Sequence, residues 1–530
     1  MTITRSREKQ FAIDVLDEDR DRISAFHKEI WDYHEPAWRE YKSVKAYVDL
    51  LREEGFDVEE GSGEMPTAFC ARWGEGGPLI GSYAEYDAVP GNSQAVVPYR
   101  QPRDGVHPYA AGHTDPHSML GVATLAGVIA AKRAMEKHNL KGRLIYHGEP
   151  AEKLCGSKPI HAAKGYYDNV DAYIAYHPWP LNSVAWETHF GAYWCAVFTF
   201  ECTHPEQWID RTLMPPGRMY SARTPGALDA MMNMYMTTKQ TKEAMLPYSG
   251  LWTINEFIMT GGDATADNLP PKFAQIQYAW RTSDLRFQEH IWRILERNAK
   301  AAAEVSGCEV SVQWISKTRV GLPNHALAEL TYENLEAVGV PEWNDEAIQF
   351  GREIQKNLGW EPTDFPFLPG NRKLTTPVEF EEGLRAQLPP GQVHLSADDY
   401  VEYCWHAPTV RLFTARPDIS SSNPTQVSPS WARLALGGLP AAMDPGMLVA
   451  GKTIAATILD LIQQPDQLAR CQAEFTERTG GGIGGDKWVG PLMPADIIPP
   501  IDLAWPEYIT TERGTEWVLP TPIPGAAQKL

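Results

Sequence analysis

The chain has 530 residues, 43% of them apolar and 10% aromatic, so it can form two or three structural units with large cores. Its formal net charge of −20 excludes the basic surface that binding to nucleic acid or anionic lipid requires. The N-terminus has no apolar secretory segment, no stretch approaches about 18 uninterrupted apolar residues, and the seven cysteines form no paired framework. We therefore expect a cytoplasmic protein with reduced thiols and no membrane partner.

The first part of the chain alternates between helical and strand-like patterns. Apolar residues at three- and four-residue spacing predict helices over 12–54, and the runs TAFCARW and PLIGSY have strand composition. EYDAVPG ends the second run, so acidic residues stand where that strand stops. The Ala- and Leu-rich stretch 119–135 predicts a helix with Asp115 as N-cap, and GRLIYHGEP, GSKPIHAAKGYYD and DAYIAYHP follow as strand, helix and strand.

This order predicts an α/β fold, a helix-covered and mostly parallel sheet with its chemistry at the carboxyl ends of the strands. Near Val184 the pattern changes to antiparallel strands and amphipathic helices, and the alternation resumes later. We predict a catalytic domain in two halves, 1–188 and 323–470, interrupted by an α+β domain at 189–322. The proline-rich residues 471–530 are expected to form an extended tail on a surface or a neighbouring subunit.

Histidines and carboxylates cluster in three segments, each where a predicted strand gives way to a loop or helix. The segments are AAGHTDPH with His113, Asp115 and His117; HGEPAEK with Glu149 and Glu152; and YHP with His177. Such a set suits a divalent metal whose bound water ionises near neutral pH, beside a glutamate that can move the proton. Each histidine could equally be a hydrogen-bonded core residue, and capping alone explains Asp115. HxDxH lacks the helical geometry of HExxH, so these residues alone leave the metal site open.

From about residue 20 to 465 the order of segments resembles the aminoacylase and carboxypeptidase family of metal-dependent amidohydrolases, closest to its aminobenzoyl-glutamate hydrolase branch. The matching segments are EYDAVPG, AAGH, PAEK, the HP of YHP, GGDATADNLP with WRTSD, and PGMLVAGKTIAATILDL. The resemblance implies that Glu152 is the general base and that His113 and His177 are metal ligands. It also implies that the inserted domain is a lid and dimerisation domain, in which a histidine and an asparagine reach the substrate of the other protomer. The matching positions are His204, with a catalytic role, and Asn268 and Arg281, which would bind the substrate.

Three positions depart from the family's pattern. The family's bridging cysteine falls on Ala111, its ligand glutamate on Lys153 and its late histidine on Asp444, all belonging to one metal. Lys153 and Asp444 could pair where that metal would lie. We therefore expect one divalent metal per subunit, held by His113 and His177 with a third ligand from Asp115, His117 or Glu149. Nitrogen and oxygen donors fit Mn(II), Fe(II), Co(II) or Zn(II), and we favour Mn(II).

Loss of one metal points to a substrate that needs less carbonyl activation. We predict hydrolytic deamination of a small aromatic carboxylate, in which a nitro substituent makes the ring carbon bearing the amino group electrophilic. Metal-bound hydroxide adds to that carbon, and Glu152 protonates the departing ammonia. Arg281, with Arg218 or Arg223, and Glu149 would bind the substrate, although a surface salt bridge remains open for each arginine.

Two alternatives to deamination remain. One is an amidohydrolase that cleaves an aminobenzoyl-glutamate-type or N-acyl amino acid amide, and the other is a degenerate subunit that binds small acids or serves in assembly. A lid of this kind implies a homo-oligomer, a dimer or larger.

Overall fold

The structure is a computed structural model that describes residues 6–204, 226–246, 252–262, 271–423 and 425–518. The helices are α1 Arg7–Glu18, α2 Arg20–Tyr33, α3 Tyr41–Glu53, α4 His117–His138, α5 Ser157–Ala163, α6 Ala227–Ala244, α7 Leu285–Val305, α8 His325–Val338, α9 Asp345–Asn357, α10 Pro377–Arg385, α11 Ser430–Gly437, α12 Pro440–Gln463 and α13 Pro465–Thr479. The strands are β1 Asp57–Glu60, β2 Phe69–Glu75, β3 Leu79–Ala84, β4 Gly142–Gly148, β5 Ala172–Trp179, β6 Ser183–Val184, β7 Phe190–Glu201, β8 Trp252–Thr260, β9 Phe273–Thr282, β10 Glu309–Lys317, β11 Leu395–Ala397, β12 Thr409–Ala415, β13 Tyr508–Thr511 and β14 Gly514–Trp517.

The larger domain is built on a sheet that, within the described residues, has seven strands in the order β1-β2-β4-β3-β5-β12-β6. The central strands β4, β3, β5 and β12 are parallel, and the outer pairings are antiparallel. The register places Tyr83 of β3 beside His147 of β4, and His177 of β5 beside Phe413 of β12. The predicted α/β class, with a mostly parallel sheet and helices over it, is confirmed.

Helices α4 and α12 pack against each other because both are almost wholly apolar. Gly127 allows the close approach, since a Cβ there would lie 2.8 Å from the carbonyl oxygen of Gly451. Both helices are long and apolar enough to cross a membrane, but 94% and 78% of their most apolar windows are buried inside the protein, as in core helices. This packing fixes the first residue of α4, His117, at the carboxyl edge of the sheet.

The second sheet is antiparallel in the order β10-β7-β9-β8, with β11 added in parallel to β7. Its central strand β7 is buried on both faces because one face packs on α6 and α7 and the other on the larger domain. Residues on the helix side include Trp194, Ala196 and Phe198, and those on the domain side are Tyr193, Cys195 and Val197. This separate sheet with its helices confirms the inserted α+β unit, while the domain boundaries stay predictions.

The C-terminal region departs from a wholly extended tail, since α13 continues to Thr479. Beyond it, Leu503 and Trp505 are buried in the same apolar cluster as Trp38 and Cys195. The β13–β14 hairpin then brings Tyr508 to Ala111, whose backbone N–H donates to the phenol oxygen at 2.9 Å. The tail therefore covers Ala111, the position on which the resemblance places the family's bridging cysteine.

Candidate metal centre and active site

Two acidic side chains follow β3 directly, and both reach the imidazole of His117. Glu85 and Asp87 are fully buried. The Oδ1 of Asp87 lies 2.6 Å from Nδ1 of His117, and the Oε2 of Glu85 lies 3.3 Å from Nε2. Asp87 therefore accepts the Nδ1 hydrogen, and Nε2 faces the cleft, an orientation typical of metal-binding histidines. Burial and Lys153 lower the pKa of His117, but Asp87 and Glu85 outweigh them and raise it to about 10, so a metal ion at Nε2 would replace a proton.

His177, in the neighbouring strand β5, has the same arrangement. Its Nδ1 donates to the carbonyl oxygen of Pro178 at 2.8 Å, and its Nε2 faces the Oδ1 of Asp115 at 3.4 Å. An imidazole lone pair and a carboxylate oxygen attract each other only when a proton or a metal ion lies between them. The site therefore favours a cation at this point.

One divalent metal fits the donors of Glu85, His117 and His177. Their ligand atoms lie within 4.8 Å of one another. Both imidazoles have Nδ1 paired with an acceptor, and the buried Oε2 of Glu85 has no hydrogen-bond partner among the described residues. Two nitrogen donors and an oxygen donor without a thiolate suit Mn(II), Fe(II), Co(II) or Zn(II).

The ammonium of Lys153 occupies the neighbouring position. Its Nζ lies 2.9 Å from Nε2 of His117 and 3.1 Å from carboxylate oxygens of both Asp115 and Glu152. Burial disfavours the ammonium, but the two carboxylates outweigh burial and hold the pKa of Lys153 well above its ordinary value. A fixed positive charge therefore neutralises acidic groups that a second metal would use.

The expected pairing of Lys153 with Asp444 is wrong. Asp444 lies near the start of α12, where its carboxylate accepts a hydrogen bond from Ser24 on α2. The cause is the direction of α12, which turns this residue toward the N-terminal helices. Asp115 and Glu152 take the place expected for Asp444.

Glu152 begins a short 3₁₀ turn between two residues with left-handed backbones, Ala151 at φ 56° and Cys155 at φ 47°. Such backbones are uncommon for residues with side chains and often occur at functional sites. The buried carboxylate of Glu40 holds the turn by accepting the N–H of Ala151 at 2.8 Å. Burial opposes ionisation of Glu152, but the Lys153 ammonium and the hydrogen-bonded His117 outweigh it and hold the pKa of Glu152 well below its ordinary value. Glu152 is therefore ionised, as a general base must be, although the same two cations make it a weaker proton acceptor.

Sequence reasoning missed the acidic pair Asp398 and Asp399. Their oxygens lie within 4.8 Å of Glu85 and Glu152. Lys158 bridges this group, donating to Glu85 at 2.8 Å and to Asp399 at 2.7 Å. Two consecutive aspartates ahead of the apolar run TVRLFTA were a usable signal, but only the pairing of β12 with β5 places them beside the metal donors.

The structure does not bring His113 together with His117 and His177. Its ring is buried against α2, with Nε2 3.4 Å from the carbonyl oxygen of Ile30. Burial holds the pKa of His113 well below its ordinary value, so the ring is neutral. None of the candidate metal-ligand groups among the described residues includes His113. Its ligand role, like those of Asp115 and His117, stays a prediction.

Glu149 lies in a separate buried cluster with His147 and His161. Its Oε1 accepts hydrogen bonds from Tyr167 at 2.6 Å and from Tyr403 at 3.1 Å, and His161 contacts both oxygens at 3.0 Å. These contacts satisfy the hydrogen-bonding capacity of the Glu149 carboxylate. A contact of Glu149 with substrate or metal stays a prediction.

The residues predicted on the inserted domain lie in different settings. Arg281 of β9 lies 4.8 Å over the ring of Tyr193. Burial raises the pKa of Cys155, which ends the turn that begins at Glu152, and the charge of Arg281 partly lowers it. His204 is exposed just beyond β7, and Asn268, with Arg218 and Arg223, falls outside the described residues.

Known proteins resemble the chain along most of its length, although no protein-family model matches it. It is 27% identical over 484 residues to one of the subunits of p-aminobenzoyl-glutamate hydrolase from Escherichia coli (strain K12), covering 89% of this chain and 95% of that protein. It is 23% identical over 369 residues to Xaa-Arg dipeptidase of Mus musculus, covering 66% and 76% respectively. The solved structure of aminobenzoyl-glutamate utilization protein from Klebsiella pneumoniae shares the fold, with a TM-score of 0.54, 13% identity and coverage of 86% of this chain and 99% of that one.

Proposed function

Because the chain belongs to the aminoacylase and carboxypeptidase family of metallopeptidases, in its aminobenzoyl-glutamate hydrolase branch, and is a hydrolase of carbon–nitrogen bonds, we propose that it cleaves an aminobenzoyl-glutamate-type or N-acyl amino acid amide. The observation that carries this proposal is the ionised carboxylate of Glu152, 3.1 Å from Nε2 of His117, in a site where a second imidazole, that of His177, directs its Nε2 at Asp115. These are the groups that metal-assisted amide hydrolysis requires.

Glu85, His117 and His177 would hold one divalent ion, with Mn(II) preferred. When bound, such an ion polarises a carbonyl oxygen and lowers the pKa of a nearby water. Glu152 takes the proton of the attacking water and passes it to the departing amide nitrogen. Lys153, 3.1 Å from Glu152, adds a fixed positive charge to the site, which would stabilise negative charge that develops on the carbonyl oxygen.

The assembly, compartment and metal count belong to the same proposal. We propose one metal per subunit, because Lys153 already neutralises Asp115 and Glu152. A homo-oligomer, a dimer or larger, is proposed because His204 and Asn268 match residues that reach the substrate of the other protomer in the family. A cytoplasmic location is proposed because the seven cysteines are free thiols, as is usual in a reducing compartment. These points are tested by metal analysis and by the mass of the assembly in solution.

Hydrolytic deamination of a small aromatic carboxylate is the second candidate. The observation that favours it is Lys153 in the place of a ligand glutamate, since attack on a nitro-activated ring stores charge in the ring and needs less help at a carbonyl. The sequence similarity to an aminobenzoyl-glutamate hydrolase favours the amide instead. The two reactions give different products, and this makes them separable.

The test is a product assay on the full chain supplied with Mn(II). 4-Aminobenzoyl-glutamate and a set of N-acyl amino acids form one panel, and nitro-substituted 2-aminobenzoates form the other. Amide hydrolysis gives two carbon-containing products without free ammonia, whereas deamination releases ammonia in a coupled assay. Ammonia release without amide cleavage would replace the first candidate by the second, and no turnover of either panel by the metal-loaded chain would favour a protein that only binds small acids.

A further inference from the structure

Two arginines share one carboxylate at the edge of the larger domain. Nη2 of Arg433 lies 2.8 Å from Oδ2 of Asp418. Nη1 of Arg416 lies 3.8 Å from the same oxygen, which is too far for a hydrogen bond. The group has two positive charges and one negative charge, so one positive charge remains without a counter-charge within it.

Arg416 is the less well paired of the two arginines, because Arg433 leaves only its Nε without a partner among the described residues. It is 7% exposed, and its Nε and Nη1 are buried without a hydrogen-bond partner among the described residues. A guanidinium has five N–H donors, and a buried charge with unpaired donors is costly unless something pairs with it. Burial and the repulsion from Arg433 lower the pKa of Arg416 to about 10, which still leaves it charged at neutral pH.

Arg416 lies at the same sheet edge as the candidate metal centre. It follows β12 directly, and its backbone N–H donates to the carbonyl oxygen of Trp179, the last residue of β5, at 3.0 Å. His177 stands two residues earlier in β5. The carboxylate of Asp115, which faces His177, is among the charges acting on Arg416. The side chain of Asn371 fixes the backbone by donating to the carbonyl oxygen of Arg416 at 3.1 Å.

We propose that Arg416, assisted by Arg433, binds a carboxylate of the substrate in a subsite beside the metal centre. A carboxylate presents two oxygens in the plane of a guanidinium, so it would supply acceptors to Nε and Nη1 that Asp418, whose buried Oδ1 is also unpaired among the described residues, does not reach in this arrangement. The ligand class is a small organic acid, such as the amino acid part of an N-acyl amino acid. The identity of that acid rests on the proposed function, but the binding of a carboxylate at Arg416 does not.

The subsite is tested by calorimetric titration of the full chain carrying Glu152→Gln, which is designed to bind substrate without cleaving it. The probes are 4-aminobenzoyl-glutamate and its uncharged diamide. We expect the acid to bind at least about tenfold more tightly than the diamide, and Arg416→Gln to weaken acid binding roughly 10- to 100-fold with little effect on the diamide. The matched control is Arg372→Gln, an exposed arginine that stacks on Phe365 and should leave both affinities unchanged.

The subsite would be refuted if the chain carrying Glu152→Gln alone bound the acid and the diamide with equal affinity. It would also be refuted if tight acid binding survived the addition of Arg416→Gln. If Arg416→Gln fails to fold, the acid-to-diamide comparison decides the matter, together with Arg433→Gln at a partly exposed position. Acid-selective binding that depends on Arg416 in a chain that hydrolyses no amide would refute the proposed function and leave the subsite intact. Where the wild-type chain does hydrolyse the acid, Arg416→Gln should raise KM with little change in kcat.

Discussion

The ammonium of Lys153 lies 2.9 Å from Nε2 of His117. It also contacts Asp115 and Glu152, so a side-chain cation stands among acidic groups that a two-metal centre would use for its second ion. A metal held by Glu85, His117 and His177 would displace the contact of Lys153 with Nε2 of His117, and also that of Glu152, whose Oε2 lies 3.1 Å from the same nitrogen. This relationship is the physical basis for expecting one metal.

Glu152→Gln should remove catalysis while the fold is retained. The amide is nearly isosteric but cannot accept a proton, and general base catalysis contributes about 100- to 10,000-fold to rates. Turnover of the best substrate is compared with that of Glu75→Gln, which changes an exposed glutamate paired with Lys141. Unaltered turnover in Glu152→Gln, with the protein folded by circular dichroism, would rule out its role as base.

Lys153→Met should make the metal-free protein less stable and more dependent on metal. The change leaves Asp115 and Glu152 without their shared cation, and removing one partner of a partly buried pair costs about 2 kcal/mol or more. We expect a lower Tm in chelator and a larger rise in Tm on adding Mn(II) than in the unchanged chain. Lys45→Met, which removes an exposed lysine paired with Asp49, is the control. Equal Tm rises in the two variants would contradict the proposed place of the metal.

The strands next to the site could be predicted from the sequence because each combines strand composition with a turn at its end. TAFCARW and PLIGSY correspond to β2 and β3, and DAYIAYHP to β5. The pairing of β12 with β5 could not be predicted, because contact between strands more than 200 residues apart depends on the whole sheet. Asp399 and Arg416, which that pairing brings to the site, were therefore missed.

Asp444→Asn should stabilise the protein at high pH only. Burial raises the pKa of Asp444 from 3.8 to about 6, so folding favours the protonated acid. The stabilisation that comes from this raised pKa is fully present below pH 3.8, where Asp444 is protonated in the folded and unfolded chains, and it is lost as the pH rises through about 6. Asparagine stays neutral, so the variant should be more stable than the unchanged chain at pH 8 by about 1 kcal/mol, after allowance for solvent screening, and about equal to it at pH 3.5. Urea unfolding at both pH values measures this, with the exposed Asp364→Asn as control. A difference of the same size at both pH values would contradict the raised pKa.

The donor types of the site could be predicted from HTDPH and YHP, but not which imidazole faces the cleft. His113 and His117 are four residues apart on either side of a turn, and side-chain direction in a loop depends on packing that sequence spacing does not encode. Here the loop turns His113 toward Ile30, while α4 begins at His117 and carries it to Asp87.

The three histidines therefore give different expectations for metal affinity. His117→Gln and His177→Gln should each weaken Mn(II) binding by roughly 100-fold or more, because each removes a donor of the Glu85 group. His113→Gln should change affinity only a few-fold, since its ring contacts a backbone carbonyl of α2. Binding is measured by competition with a chelator of known affinity, and His107→Gln, in the loop before this segment, serves as the control. A large loss in His113→Gln with little loss in His117→Gln would return the ligand role to His113 and refute the metal site described above.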